Sequence, residues 1–212
     1  GNGSTRLYYD SSEKLATTSS GVNVTGALTV NGSAVGGGTW EILGTTDFAS
    51  NNGNDSINTG WPSTYTQVKC VLNNVGKSGS SDLSMQWYFH SSYGNNGTLN
   101  TAQEYQYAAR WRTFNNVNES TGSNDSTAWR FRNGGGTDYW SGEITFDIGT
   151  TSTDQKKGAT AELRTGTITV HDSCLHDQSA TEDQVIVGAK IFEHGGNNFT
   201  HGRVTWYGLK YA

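Results

Sequence analysis

The feature that most constrains this chain is a rhythm. Beyond residue 38, short runs of alternating, β-branched and aromatic residues recur, each cut off by Asn, Gly, Ser and Asp. The runs are Thr39–Leu43, Thr64–Asn73, Asp82–Phe89, Glu104–Arg112, Thr127–Arg132, Tyr139–Ile148, Ala159–His171, Gln184–Phe192 and Arg203–Tyr211. The separators include Asn51–Asn58, Asn73–Ser81, Gly94–Asn100, Asn115–Ser126, Asn133–Gly136 and Glu193–Asn198. Runs of this length with turn signals between them predict an all-β fold, an antiparallel β-sandwich of jelly-roll kind. No long amphipathic helix pattern is present. Thr101–Ala109 alone has two readings: Thr101 and Glu104 could form a capping box, yet Tyr105, Tyr107 and Ala109 alternate.

Composition separates this reading from disorder. Mean hydropathy is −0.62, low enough for an unfolded chain, but 7 Trp, 10 Tyr and 7 Phe supply core-forming mass. The 28 Gly show no Gly-X-Y period, which excludes collagen. The net charge of −5 gives no general attraction for nucleic acid or anionic lipid. No apolar stretch is long enough for a spanning helix, so no membrane insertion is expected. The start, Gly1–Thr5, lacks a signal-peptide pattern. Cys70 and Cys174 each sit in or beside an apolar run, as free thiols or as a single disulfide; neither belongs to a CxxC pair.

Residues 1–38 differ from the rest. Val22–Val24 and Leu28–Val30 alternate at period two, with Gly21, Gly26 and Gly32 as punctuation. Gly36–Gly37–Gly38 is a natural junction. So short a segment cannot bury a core alone. Either it is a linker, or its apolar residues pack against identical chains. The expected division is therefore a stem, 1–38, and a head, 39–212.

Leu7–Gly26, LYYDSSEKLATTSSGVNVTG, resembles short repeats in the tail fibres of double-stranded DNA bacteriophages, especially those of marine and aquatic bacteria. The family pattern runs approximately L-Y-x-D-x-x-x-K-L-x-T-T-x-x-G-V-x-V-x-G, and Leu28–Gly32 continues it. The head is similar to fibre-tip domains in opening with Trp40–Leu43, carrying Tyr65–Leu72 and finishing with Gly202–Lys210. Residues 101–126 and the final Tyr211–Ala212 depart from the pattern. The resemblance implies a homotrimer with an intertwined β-stem, located at the distal, extracellular end of a virion tail fibre. It implies host attachment through a cell-surface glycan or outer-membrane protein. A trimerisation or capping domain without receptor contact is the alternative; a bacterial carbohydrate-binding or adhesin module is a more distant one.

Receptor contact is expected on polar loops of the scaffold, together with exposed aromatics. The candidates are Trp61, Tyr93, Asn95, Asn96, Asn116, Asn118, Asn124, Asp125, Asn197, Asn198 and Phe199. Trp61 precedes Pro62, which favours extended backbone; it either faces the receptor or plugs one end of the sandwich. The strand aromatics Trp87, Tyr88, Trp111, Trp129, Tyr139, Trp140, Trp206 and Tyr207 are stacking candidates whose default role is core. His171, Asp172, His176 and Asp177 match no zinc spacing, so no metal and no cofactor are expected. Enzyme activity is not expected. Glu143 and Asp147 share a strand face about 13 Å apart, too far for paired-carboxylate chemistry. Glu104 with Asp138 is the other pair, and neither GxSxG nor HExxH occurs.

Overall fold

The computed structural model describes residues 4–26, 29–30, 33–34, 39–48, 53, 55–101, 105–113, 118–131, 139–148, 157–166, 168–176 and 184–210. All regular structure among them is β, in several antiparallel sheets. Contacts divide the chain into two units, one containing Gly1–Thr39 and the other Trp40–Lys210. The expected Gly36–Gly38 junction and the punctuating Gly32 lie outside the described residues.

The first unit holds β1 (Arg6–Tyr9), β2 (Ser12–Thr18) and β3 (Gly21–Val24), paired in that order. Asp10 and Ser11, both at positive φ (51° and 59°), make the two-residue hairpin turn between β1 and β2. β4 (Thr29–Val30) and β5 (Ser33–Ala34) form a separate pair. This small sheet buries little. Ala16 is covered, but Leu7, Tyr8, Tyr9 and Val22 are 56–77% exposed.

The second unit holds β6 (Thr39–Asp47), β7 (Asp55–Thr59), β8 (Tyr65–Lys77), β9 (Leu83–His90), β10 (Thr98–Leu99), β11 (Tyr105–Thr113) and β12 (Asn118–Ser126). It continues with β13 (Trp129–Phe131), β14 (Trp140–Asp147), β15 (Lys157–Arg164), β16 (Ile168–His176), β17 (Val185–Glu193) and β18 (Phe199–Lys210). Eight strands form a large sheet in the order β12-β11-β16-β15-β14-β8-β18-β6. A smaller sheet runs β10-β9-β17-β7, with β13 sharing the β9 edge.

The two sheets of this unit face each other across an aromatic core, as in a β-sandwich-like architecture. Trp87 of β9 meets Phe146 of β14 at 5.9 Å between ring centroids, edge to face. Alternation explains who points inward: Val68, Cys70 and Leu72 are buried, whereas Gln67, Lys69 and Val71 are only partly covered. Tyr105 spans the gap to β9, its hydroxyl accepting from Trp87 N at 2.7 Å and donating to Asn100 O at 3.2 Å.

Several expectations are corrected. Ala159–His171 is not one strand; Thr165 N bonds Ile168 O at 2.7 Å, closing a turn that separates β15 from β16. The separator Asn51–Asn58 contains β7, drawn into a strand by pairing with β17. Asn115–Ser126 contains β12, which pairs with β11 along the edge of the large sheet although it holds no apolar residue. The capping-box alternative fails from Tyr105 onward, where β11 pairs on both sides. Cys70 and Cys174 are free and buried, and burial pushes both thiols above their ordinary pKa.

Candidate functional site

The polar turns are held by buried anchors, and they occupy two opposite ends of the head. At one end the anchor is Trp61. It is 1% exposed, with its ring 5.4 Å from Phe146 and 6.1 Å from Trp206. Its indole N–H donates to Asn58 Oδ1 at 2.6 Å. Its backbone joins two segments: Trp61 N bonds Val187 O, and Gly94 N bonds Trp61 O, each at 3.0 Å. Of the two readings of Trp61, receptor contact is therefore corrected, and the residue takes the other role, plugging one end of the sandwich. What it supports is exposed. Asn96 Oδ1 accepts from Thr59 Oγ1 at 3.1 Å, and Asn95 Nδ2 donates to Ser92 O and Tyr93 O at 3.3 and 3.2 Å. Tyr93 is half-buried, its hydroxyl donates to Ile148 O, and burial raises its pKa. Asn95 and Asn96 remain exposed.

At the other end the anchors are Glu193 and Lys77, 1% and 2% exposed. Glu193 accepts from Ser81 N at 3.1 Å and from Asn197 N at 2.9 Å, while Asn197 Nδ2 also donates to it. Lys77 Nζ donates to Gly79 O at 2.9 Å and Ser81 O at 2.6 Å. Two turns are thus clamped from inside by charged groups. Burial alone would raise the Glu193 carboxyl. Hydrogen bonds from Asn197 and Ser81, with the Lys77 ammonium nearby, outweigh it and hold the pKa below the usual range. Asn197 and Asn198 are exposed, although the Asn197 amide is turned onto Glu193. Phe199 does not: it is buried against Phe48, ring centroids 4.6 Å apart. The expectation of Phe199 as a receptor contact is corrected by that packing.

The candidates do not converge on one spot. Strand β9 separates the turn carrying Asn95 and Asn96 from the end near Glu193, which pairs with Leu83. Eight residues of strand put these turns about 25 Å apart. Asn118, Asn124 and Asp125 belong to the edge strand β12, six strands from β18 and so about 29 Å away across the sheet. Asn116 lies outside the described residues. The exposed turn residues therefore lie in two separate places, Asn95 and Asn96 at one end of the head and Asn197 and Asn198 at the other.

The carboxylates on the outer face are already engaged. Glu143 accepts from Lys69 Nζ at 3.0 Å on both oxygens, and Asp147 accepts from Gln67 Nε2 at 2.8 Å. Glu104 and Asp138 lie outside the described residues. Among the described residues no group of three His, Cys, Asp or Glu side chains could hold a metal ion. One carboxyl stands apart. Asp172, on the inner side of β16, is 6% exposed, and among the described residues only the Trp129 indole and the Ser173 amide approach its oxygens, neither with good hydrogen-bond geometry. Burial pushes its pKa up to about 7; the nearby Trp129 indole and Ser173 amide only partly offset this.

Sequence reasoning missed Glu193 and Lys77, and weighed Asp172 only as a metal ligand, not as a buried carboxyl. Each sits in a strand pattern where the charged residue replaces an apolar one, and only tertiary burial distinguishes it from a solvated charge. The chain finds no match among protein-family models, curated proteins or solved structures.

Proposed function

We propose that this chain is the distal part of a viral tail fibre, joined through its stem to two identical chains and attaching through its head to a cell surface. A trimeric, intertwined stem and a jelly-roll head are the finer form of this reading. The observation that carries it is the stem's small β-sheet, whose Leu7, Tyr8, Tyr9 and Val22 stay exposed in a single chain. Exposed apolar residues on so short a sheet are stabilised by like chains packed against them. The phage-fibre resemblance of Leu7–Gly26 falls on these same residues.

The head supports attachment rather than catalysis. Its exposed Asn side chains sit on turns immobilised by Trp61, Glu193 and Lys77, so little ordering cost accompanies binding. Three copies per fibre would convert weak single contacts into firm adhesion through high effective concentration. The receptor would be a surface glycan or an outer-membrane protein, met outside the cell. No chemistry is required of the chain, and no metal, cofactor, nucleic acid or membrane insertion enters the mechanism.

Adhesion tests the reading. Fluorescently labelled protein should coat susceptible cells. Replacing Asn95 and Asn96, or Asn197 and Asn198, by Ala should lower bound fluorescence for at least one pair. Unchanged adhesion in both double variants, and in one altered along β12, would favour a structural cap instead.

A further inference from the structure

The large sheet loses its regular register at one level on three neighbouring strands. Between β14 and β8 the pairing jumps from Trp140↔Val75 to Gly142↔Leu72, leaving Asn73 and Asn74 beside Ser141. Between β8 and β18 it shifts on both sides of His201. Asn74 has φ 54° and Gly202 φ 90°. A Cβ at Gly202 would fall 2.2 Å from the Asn74 carbonyl oxygen, so the crossing demands glycine. Bulges re-aim side chains, and strained backbone gathers where a ligand is held.

What these irregularities aim is an aromatic pair. His201 lies opposite Gly76, where an added Cβ would sit 2.2 Å from its Cε1. Its ring therefore occupies the space above bare backbone. Thr200 Oγ1 lies 3.2 Å from its Nδ1, and the Tyr139 ring is 4.2 Å away at 60°. Tyr139 is 51% exposed, while Trp140 beside it is fully buried. The Ser141 Oγ accepts from Asn74 N at 3.0 Å. Arg203 is tied to Asp47 at 2.7 Å, and exposed Arg164 lies opposite Ser141.

We infer that Tyr139 and His201 form a subsite for the pyranose ring of a glycan. A sugar presents C–H groups on one face and hydroxyls around its rim. The half-exposed Tyr139 ring matches the first, and the His201 ring against it, with Thr200 Oγ1 beside its Nδ1, brings polar groups that match the second. An apolar peptide side chain would leave the polar groups of His201 and Thr200 unmatched. The biological setting rests on the attachment reading, but the subsite itself is a property of the head.

Saturation-transfer NMR on the intact protein, with the methyl glycosides of glucose, galactose, mannose and N-acetylglucosamine, tests the inference. At least one glycoside should receive saturation on its ring C–H protons. Tyr139→Ala and His201→Ala should each weaken that glycoside roughly tenfold. Leu175→Ala, exposed on β16 of the same sheet, should not. Circular dichroism checks that each variant is folded, and Tyr139→Phe should retain binding if stacking is the contact. Absence of transfer to all four glycosides, or undiminished transfer in Tyr139→Ala, would overturn the subsite. Either of these results from a protein that still adheres to cells would overturn the subsite while leaving attachment intact. Glycoside binding through Tyr139 in a protein that never adheres would overturn attachment and keep the subsite.

Discussion

Asp172 illustrates how one side chain can set the pH response of the head. In an unfolded chain its carboxyl ionises near pH 4; in the fold, burial moves this to about 7. A raised pKa means the folded state holds the proton more tightly. Its favourable contribution is complete below pH 4 and is lost as pH rises through 7. The loss amounts to roughly 4 kcal/mol once the carboxyl is ionised. Asp172→Asn keeps the shape without the charge. Thermal denaturation should show the variant more stable than the parent at pH 8 and nearly equal at pH 4. Equal midpoints at pH 8 would show that the carboxyl carries no such penalty. Nothing in the run Thr169–Cys174 marks Asp172 beforehand; its strand alternates, but an inward Asp is recognisable only once β11 and β15 flank it.

At the scale of elements, the turns near Asn197 depend on a charged clamp rather than on turn chemistry alone. Glu193→Ala removes the acceptor for Ser81 N and Asn197 N and takes a carboxylate away from the neighbourhood of the buried Lys77 ammonium. Such a change should cost about 2–4 kcal/mol in chemical denaturation and loosen the two turns together. A variant as stable as the parent would mean water replaces the carboxylate. The same scale shows how much could be read in advance. β8, β9, β14 and β17 were readable because their alternation or apolar runs reflect two buried neighbours. β12 was not, since its residues Asn118–Ser126 become a strand only by pairing with β11. β7 was hidden for a similar reason, with Ile57 as the one apolar residue among polar ones. The split of β15 from β16 rests on a turn with a single Gly166, too weak a signal between two strand-like runs. The candidate site was readable in part: Asn95, Asn96, Asn197 and Asn198 lie on exposed turns, whereas Trp61 and Phe199 went inward. Aromatics next to Pro or Asn carry no sign of direction until the core around them exists.

At the scale of the whole molecule, the two units solve the burial problem differently. Trp40–Lys210 has enough chain to close an aromatic core between two sheets. Arg6–Val24 has not, and Leu7, Tyr8, Tyr9 and Val22 remain in solvent in a single chain. The fibre reading turns on what covers them. Sedimentation velocity of the intact chain at low micromolar concentration addresses this directly. The account predicts one species of about three times the 22.8 kDa chain mass, dispersing when Leu7, Tyr9 and Val22 are together replaced by Ser. A single species at 22.8 kDa would contradict it.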